Sequence, residues 1–246
     1  MTGPNILILG GTTEASALAQ ALAAAGIRGT VSLAGRVERP APQALPLRVG
    51  GFGGAEGLAA WMRAGAVTHL VDATHPFAAA ISRNAVAAAR LADVPLVALT
   101  RPAWEAGPGD DWRRVPDMAG AVAALAGPPR RVMLAVGRMH LPAFAVQPQH
   151  AYLLRLVDPP REALPLREAR VEVSRGPFTQ AGDRALMQRH GIDLVVSKNA
   201  GGSGARAKLL AARALRLAVV MVDRPALPER DEVTSAGAAL DWIAGR

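Results

Sequence analysis

A strand, glycine turn and helix open the chain, and this pattern constrains the fold more than any other feature. Four apolar residues at positions 6–9 run without interruption to Gly10-Gly11, and an Ala/Leu-rich segment follows Thr12-Thr13-Glu14. The pattern predicts a strand, a tight turn and a helix to about Ala25, which is typical of the start of a nucleotide-binding α/β domain. Glycine lets the backbone turn sharply near a ligand, and the first helical amides favour an anionic phosphate.

The same turn also has a purely structural interpretation, and both interpretations stay open at this point. A tight strand-to-helix turn needs glycine and an N-cap, which Thr12 or Thr13 would supply. The spacing is not G-x-G-x-x-G, so the Rossmann fingerprint itself is absent. If the turn binds a coenzyme, the predicted contacts are Gly10, Gly11, Thr12, Thr13 and Glu14.

Composition excludes several classes of protein. Half of the 246 residues are hydrophobic, yet no run approaches the ~20 apolar residues of a membrane span, and we expect no membrane partner. The chain enters a strand almost at once, so we expect no signal peptide. Cysteine is absent, which excludes disulfides and thiolate catalysis and fits a reducing cytoplasm. We therefore expect a cytoplasmic protein.

The charge balance favours a polyanionic partner. The net charge is +8, and all basic residues except Lys198 and Lys208 are arginine. A GC-rich coding sequence would give the same arginine excess. Nucleic acid is one candidate, but the arginines are scattered and only 4% of residues are aromatic, whereas single-strand binding uses aromatic stacking. A small ligand with several carboxylates fits equally well.

Arg36 follows the second predicted strand, at positions 29–34. In doubly wound folds the end of this strand faces the adenosine ribose, where an acidic residue suits NAD and an arginine suits the 2′-phosphate of NADP. Arg36 therefore predicts NADPH as the coenzyme. An arginine exposed on the surface is the alternative.

A second turn with candidate functional residues follows the predicted strand 67–72. It contains Thr74-His75-Pro76 and lies at the carboxyl end of a strand, where open α/β sheets bind ligands. Proline at a helix start is also favoured locally. We assign Thr74 to the coenzyme and predict that His75 is the functional histidine, whereas His69, inside the strand, is packed. His75 has three open roles, which are carboxylate binding, helix capping and proton donation.

A second glycine-rich loop, Ser197-Lys-Asn-Ala-Gly-Gly-Ser-Gly204, lies between the predicted strand 192–197 and the predicted helix 205–215. Backbone amides, a lysine and an asparagine converge there, as an anion site requires. The loop lacks the P-loop pattern, and a flexible loop with an incidental lysine is the alternative. The predicted coenzyme contacts are Lys198, Asn199, Gly201 and Gly202.

The sequence pattern restarts after Gly127-Pro-Pro129. Arg90 precedes Arg101-Pro102 by the same 11 residues that separate Arg213 from Arg224-Pro225. This repeat predicts two similar α/β units, residues 1–127 and 128–246. Ligands would bind in a cleft between the domains, lined by the turns at the carboxyl ends of the strands. Positions 218–223 are the last predicted strand.

Seven short motifs occur in a fixed order along nearly the whole chain. They are Gly10-Gly-Thr-Thr-Glu14, Asp72-Ala-Thr-His-Pro-Phe77, Arg101-Pro-Ala-Trp104, Gly137-Arg138, Arg175-Gly-Pro-Phe178, Ser197-Lys-Asn-Ala-Gly-Gly202 and Arg224-Pro225. The ordered set resembles the precorrin-6A reductase family of cobalamin biosynthesis. One departure is Ala200, where the family usually has serine, and the change removes one hydroxyl group.

This resemblance implies an oxidoreductase that uses NADPH to reduce one double bond of precorrin-6A to precorrin-6B. It implies an α/β fold of two Rossmann-like parallel-sheet domains, in which residues 1–127 bind NADPH and residues 128–246 close the coenzyme and substrate site. The lack of cysteine and of a His/Asp/Glu cluster in the sequence suits a reaction that needs no metal. The substrate is a tetrapyrrole with many carboxylates, which arginine can bind bidentately. His75 is then the candidate catalytic residue, and the predicted substrate contacts are Arg101, Trp104 for the flat macrocycle, Arg138, Arg175 and Arg224.

Two alternatives and one partner remain as hypotheses. The substrate could be the cobalt-containing precorrin of the oxygen-independent pathway. The chain could instead be a non-catalytic nucleotide- or nucleic-acid-binding module, although scattered arginines and few aromatics argue against nucleic acid. For a reductase, handing the tetrapyrrole to neighbouring pathway enzymes is a further expectation.

Overall fold

The computed structural model describes residues 3–35, 41–160 and 162–245. Within these ranges the chain forms two compact units. The first consists of the residues up to Pro102 and those from Ala226 onward, and the second is Ala103–Pro225. No helix among the described residues is long and apolar enough to cross a membrane.

Strands and helices alternate along most of the chain. The strands are β1 (Asn5–Leu9), β2 (Arg28–Leu33), β3 (Leu47–Val49), β4 (His69–Asp72), β5 (Leu96–Leu99), β6 (Asp111–Val115), β7 (Arg131–Ala135), β8 (Ala151–Leu156), β9 (Ala169–Val173), β10 (Leu194–Lys198), β11 (Ala218–Val222) and β12 (Asp231–Val233). The helices are α1 (Thr13–Ala24), α2 (Gly54–Ala64), α3 (Ala79–Ala92), α4 (Met118–Ala123), α5 (Gln180–Arg189), α6 (Ala207–Leu215) and α7 (Ala236–Ala244), with a 3-10 segment at Arg138–Val146.

Each unit contains one six-stranded sheet. The strand order is β3-β2-β1-β4-β5-β12 in the first sheet and β9-β8-β7-β10-β11-β6 in the second. All neighbouring strands are parallel. Both orders match the 3-2-1-4-5-6 arrangement of doubly wound dinucleotide-binding folds, which confirms the predicted fold class of two Rossmann-like parallel sheets.

The apolar run of β1 is explained by its central position. Ile6 and Ile8 pack with α1 and α7 on one face of the first sheet, while Leu7 and Leu9 pack with α2 and α3 on the other. A parallel strand covered on both faces is apolar without alternation. His69 of β4 is also buried, at 8% exposure, as predicted.

The division between the units differs from the predicted boundary at residue 127. Strand β6 pairs with β11, aligning Val115 with Val222, so residues 103–127 belong to the second unit. Strand β12 pairs with β5, aligning Val233 with Leu99, so the C-terminal segment belongs to the first. Residue 127 therefore ends a sequence repeat rather than a structural unit, because each repeat contributes its last strand and helix to the other sheet.

The exchanged segments include strands β6 and β12 and helix α7, none of which the sequence pattern predicts. The prediction that β11 is the last strand is wrong. Strand β6 is largely exposed and carries Asp111, Arg113 and Arg114, while β12 has only three residues. Short edge strands lack the apolar run that identifies a buried strand. Helix α5 begins at Gln180, after the N-cap Thr179.

Candidate functional site

In the first unit, the strand order reverses between β1 and β4, and the turns after these two strands are held together. The Ala73 amide donates to the Leu9 carbonyl at 2.9 Å, and the Thr12 hydroxyl donates to the Ala73 carbonyl at 2.7 Å. The glycine turn and the Thr74-His75 turn, distant in sequence, are thus neighbours. Such a reversal point is where doubly wound sheets bind their ligands.

The two glycines of the first turn serve different purposes. A Cβ added to Gly10 would lie 3.1 Å from Val31 Cγ1 and 3.4 Å from Ala15 Cβ, so Gly10 allows close helix-to-sheet packing. Gly11 has φ +115°, and a Cβ added there would meet nothing within 4 Å. Gly11 is therefore needed for its backbone conformation, and the turn has open space beside this residue.

Thr12 has the structural role that the sequence left open. It is the N-cap of α1, and its hydroxyl accepts from the Ala15 amide at 3.2 Å while donating to Ala73. The hydrogen of this hydroxyl is therefore used within the protein. The Thr13 hydroxyl donates to Glu14 Oε2 at 3.1 Å.

Glu14 is ion-paired with Arg101, which follows β5. Arg101 Nη1 lies 3.1 Å from Glu14 Oε2, and both side chains are mostly buried. Burial by itself would raise the pKa of Glu14, but the backbone hydrogen bond, the Arg101 charge and the Thr13 hydroxyl outweigh it and lower the pKa. Glu14 is thus an anion at neutral pH, and it neutralises much of the charge that Arg101 would offer to a substrate carboxylate.

A buried ion pair that the sequence did not indicate underlies the Thr74 turn. Asp72 Oδ1 accepts from the Thr74 amide at 3.1 Å and from the Thr74 hydroxyl at 2.6 Å. Asp72 Oδ2 accepts from Arg230 Nη1 at 2.6 Å, and these two side chains are 1% and 8% exposed. Arg230 is 158 positions from Asp72, so no local pattern could have revealed the pair.

His75 is half-buried at the end of this turn. Its Nδ1 accepts from the Phe77 amide at 3.2 Å, and its carbonyl accepts from the Ala78 amide at 2.7 Å. His75 therefore holds the turn of residues 75–78 but does not cap the helix, because α3 begins at Ala79 and its N-cap, Ala78, has no side-chain cap hydrogen bond. With Nδ1 as acceptor, Nε2 carries the hydrogen of the neutral ring and is the atom that would donate to a ligand.

In the second unit, the strand order reverses between β7 and β10. The turn after β7 contains Gly137, at φ +83°, and a Cβ added there would lie 3.9 Å from Lys198 Nζ. The lysine head group therefore lies beside the Gly137 turn, as a shared anion site requires. Arg138 begins the 3-10 segment and is exposed. Gly201 and Gly202 both have positive φ, at 71° and 73°.

Asn199 and Trp104 support this glycine-rich loop through hydrogen bonds. Asn199 is buried, and its Oδ1 accepts from the Trp104 amide at 2.7 Å while its Nδ2 donates to the Trp104 carbonyl at 2.9 Å. The Trp104 indole donates to the Gly202 carbonyl at 2.7 Å, and Lys208 Nζ lies 5.0 Å from the ring centroid. A ring only 8% exposed argues against the predicted stacking of Trp104 on a macrocycle.

The remaining predicted arginines differ in their surroundings. Arg224 donates through Nε to the Asn199 carbonyl at 3.0 Å and through Nη2 to the Ala200 carbonyl at 3.2 Å, so it supports the glycine-rich loop. Arg175 forms an exposed ion pair with Asp158 at 2.9 Å. Arg36 lies outside the described residues. The substrate and coenzyme roles of these arginines stay predictions.

The second unit also contains a cavity of about 170 Å³ beside the Gly137 turn, and the sequence analysis did not identify it. Arg155 of β8 lies at its edge, ion-paired with Asp183 of α5 and stacked 4.2 Å above the Phe178 ring. Phe178 belongs to one of the seven motifs, but Arg155 does not. The lining residues are Met133, Ala135, Gly137, Arg155, Phe178, Ala205 and Lys208.

Among the residues that the structure describes, no group of three or more histidine, cysteine, aspartate or glutamate side chains could hold a metal ion. The groups gathered at the strand ends are instead backbone amides, hydroxyls and cations. Such groups suit phosphates and carboxylates.

Comparisons with known proteins agree over almost the full length. The model of the precorrin-6x reductase CbiJ/CobK family matches residues 5–244. A precorrin-6A reductase from Rhodobacter capsulatus is 53% identical over 240 residues, covering 98% of this chain and 96% of the relative. A precorrin-6A reductase from a Sinorhizobium species is 47% identical, covering 99% and 94%.

A solved structure and a more distant relative complete the comparison. The structure of CobK precorrin-6A reductase superposes with a TM-score of 0.95 at 52% identity, covering 98% of this chain and 96% of that chain. A cobalt-precorrin-6A reductase from Priestia megaterium is only 30% identical, over 89% of this chain and 90% of the relative. With its two doubly wound sheets and the motifs at their strand ends, the chain belongs to the precorrin-6x reductase family.

Proposed function

We propose that this protein reduces one carbon–carbon double bond of precorrin-6A with NADPH and releases precorrin-6B. The observation that carries the proposal is the agreement between family and geometry. The family's motifs follow the carboxyl ends of strands in both sheets, the side on which doubly wound folds bind nucleotides and their substrates. The proposed location is the cytoplasm, which the absence of cysteine supports.

The first unit is the proposed coenzyme-binding unit. The turn has open space beside Gly11, and the first amides of α1 follow it in the chain. An NADPH pyrophosphate fits such a turn, because helix N-terminal amides and a turn without side chains both favour phosphate oxygens. Thr12 fixes the turn through its two hydrogen bonds. Arg36 is the proposed partner of the 2′-phosphate.

The nicotinamide supplies the hydride when it is bound, and the protein supplies position and charge. One carbon of the double bond receives the hydride, and its neighbour must receive a proton. His75 Nε2 is the proposed donor toward the substrate, to a carboxylate arm or to the reacting carbon. Exposed Arg138 and Arg175 are the proposed contacts of the carboxylate arms.

The comparisons favour precorrin-6A over its cobalt-containing counterpart. The precorrin-6A reductase from Rhodobacter capsulatus is 53% identical to this chain, against 30% for the cobalt-precorrin-6A reductase from Priestia megaterium. We therefore propose the metal-free macrocycle as substrate. Nothing in the chain specifies an enzyme that would receive the product, and transfer to a neighbouring pathway enzyme stays a proposal.

The test is a direct assay with both substrates. Purified protein is incubated without oxygen with NADPH and precorrin-6A, and the product is analysed by mass spectrometry. A gain of two hydrogen atoms, dependent on NADPH, is the expected result. Parallel reactions contain cobalt-precorrin-6A, NADH or no coenzyme. No reduction of precorrin-6A, or faster reduction of the cobalt-containing substrate, would contradict the proposal.

A further inference from the structure

We propose that Arg230 is a positioning residue for the reaction, acting on His75 through Asp72 and Thr74. The inference rests on the proposed function. Arg230 lies just before β12, in the C-terminal segment that joins the first sheet. Its Nη1 lies 2.6 Å from Asp72 Oδ2, and the two side chains are 8% and 1% exposed. The C-terminal segment, which adds β12 to the edge of the first sheet, thus also contacts the carboxyl end of the central strand β4.

Asp72 transmits this contact to the turn. As the last residue of β4, it uses Oδ2 for Arg230 and Oδ1 for both the amide and the hydroxyl of Thr74. Thr74 Oγ1 also lies 3.4 Å from the hydroxyl of buried Ser82 in α3. The turn is therefore fixed to β4 on one side and to α3 on the other, one residue before His75.

Removing the Arg230 charge would disturb this arrangement rather than merely delete a contact. Asp72 would keep the hydrogen bonds from Thr74 but lose the positive charge that offsets its burial, and a buried carboxylate without such a charge is driven to turn toward water. A turned carboxylate would no longer accept both hydrogen bonds from Thr74. His75 would then lose its defined direction, and a displacement of about 1 Å from the productive geometry can lower a rate by about 100-fold.

The burial of Arg230 separates this role from direct substrate binding. The guanidinium is nearly enclosed and is also 3.3 Å, through Nε, from Glu232 Oε1. Glu232 is half-exposed, and an ion pair with such a partner contributes little. Glu232→Gln is therefore a matched control, because it alters a partner of Arg230 while leaving the Asp72 contact in place.

The experiment is a double-mutant cycle between Arg230→Met and His75→Ala in the full-length protein. The measurements are kcat and KM for precorrin-6A, the Kd of NADPH and the melting temperature. We expect Arg230→Met to lower kcat by about 10- to 100-fold, and Arg230→Lys to recover part of the loss. In the His75→Ala background, Arg230→Met should have little further effect on kcat, since coupled residues are non-additive.

Several outcomes would overturn the inference. They are additive effects of the two changes, a lower melting temperature with unchanged kcat, a raised KM with unchanged kcat, and an unchanged kcat in His75→Ala. If Arg230→Met does not fold, the same cycle with Arg230→Lys decides by the same criteria. If the parent protein fails to reduce precorrin-6A, the proposed function is wrong; if the parent is active and the cycle is additive, only the Arg230 inference is wrong.

Discussion

Replacing Asn199 by alanine separates a structural role from the coenzyme contact that the sequence suggested. The Asn199 side chain forms two hydrogen bonds with the backbone of Trp104, at 2.7 and 2.9 Å, and both are buried. Alanine would leave one amide and one carbonyl without partners, each costing about 1–3 kcal/mol. The sum predicts a loss of about 2–6 kcal/mol in the free energy of unfolding. Asn199→Asp should also destabilise, because it retains the acceptor but loses the donor.

Urea unfolding followed by circular dichroism measures this loss. We expect a lower midpoint with an unchanged slope, since the surface exposed on unfolding stays the same. NADPH titration of the folded variant, at urea-free conditions, gives the coenzyme affinity separately. An unchanged midpoint together with weaker NADPH binding would refute the structural interpretation and restore Asn199 as a coenzyme contact.

Three further predictions concern the coenzyme and the pH dependence of stability. Arg36→Glu should weaken NADPH binding by roughly 1–3 kcal/mol relative to NADH binding, whereas Arg28→Glu, at the other end of β2, should not. Equal affinities of the parent protein for NADPH and NADH would contradict this prediction. Gly11→Ala should weaken NADPH binding, whereas Gly26→Ala, with the same open surroundings and positive φ, should only destabilise the folded protein. If the two variants give the same NADPH titration, the Gly11 turn has a structural role only. Arg213→Ala should destabilise by about 1–3 kcal/mol at neutral pH, because Arg213 hydrogen-bonds to Asp110 and lowers its pKa. Because the pKa of Asp110 is lowered in the folded protein, the pair stabilises the fold at pH values above the ordinary value of 3.8, and this stabilisation is lost as the pH falls through the folded-state pKa. The free energies of unfolding of parent and variant should therefore converge in acid. A difference in urea unfolding that does not change with pH would contradict this.

The local patterns of the sequence were sufficient for the central strands and their turns. The apolar run ending at Gly10 predicted β1 and its turn, because a strand buried on both faces must be apolar throughout. The positions of Thr74 and Lys198 at strand ends followed from the same reasoning. His69 was correctly placed in the packed interior.

The roles of several side chains depended on partners far away in the chain. Thr12 and Asn199 look like ligand contacts in sequence, but the structure gives their polar groups backbone partners at Ala73 and Trp104. Trp104 follows Arg101 by three residues, yet it packs in the core of the second unit. Residue type and spacing do not state which partner will satisfy a polar group once it is buried.

The sequence by itself determined that two similar α/β repeats exist, because each repeat carries its own apolar strands, glycine turns and Arg-Pro pair. Only the tertiary structure decided that β6 and β12 each complete the sheet of the other repeat. That choice also placed Arg230 against Asp72. The physical reason is that apolar periodicity reports whether a segment is buried, whereas strand pairing at a sheet edge uses backbone groups that every residue shares.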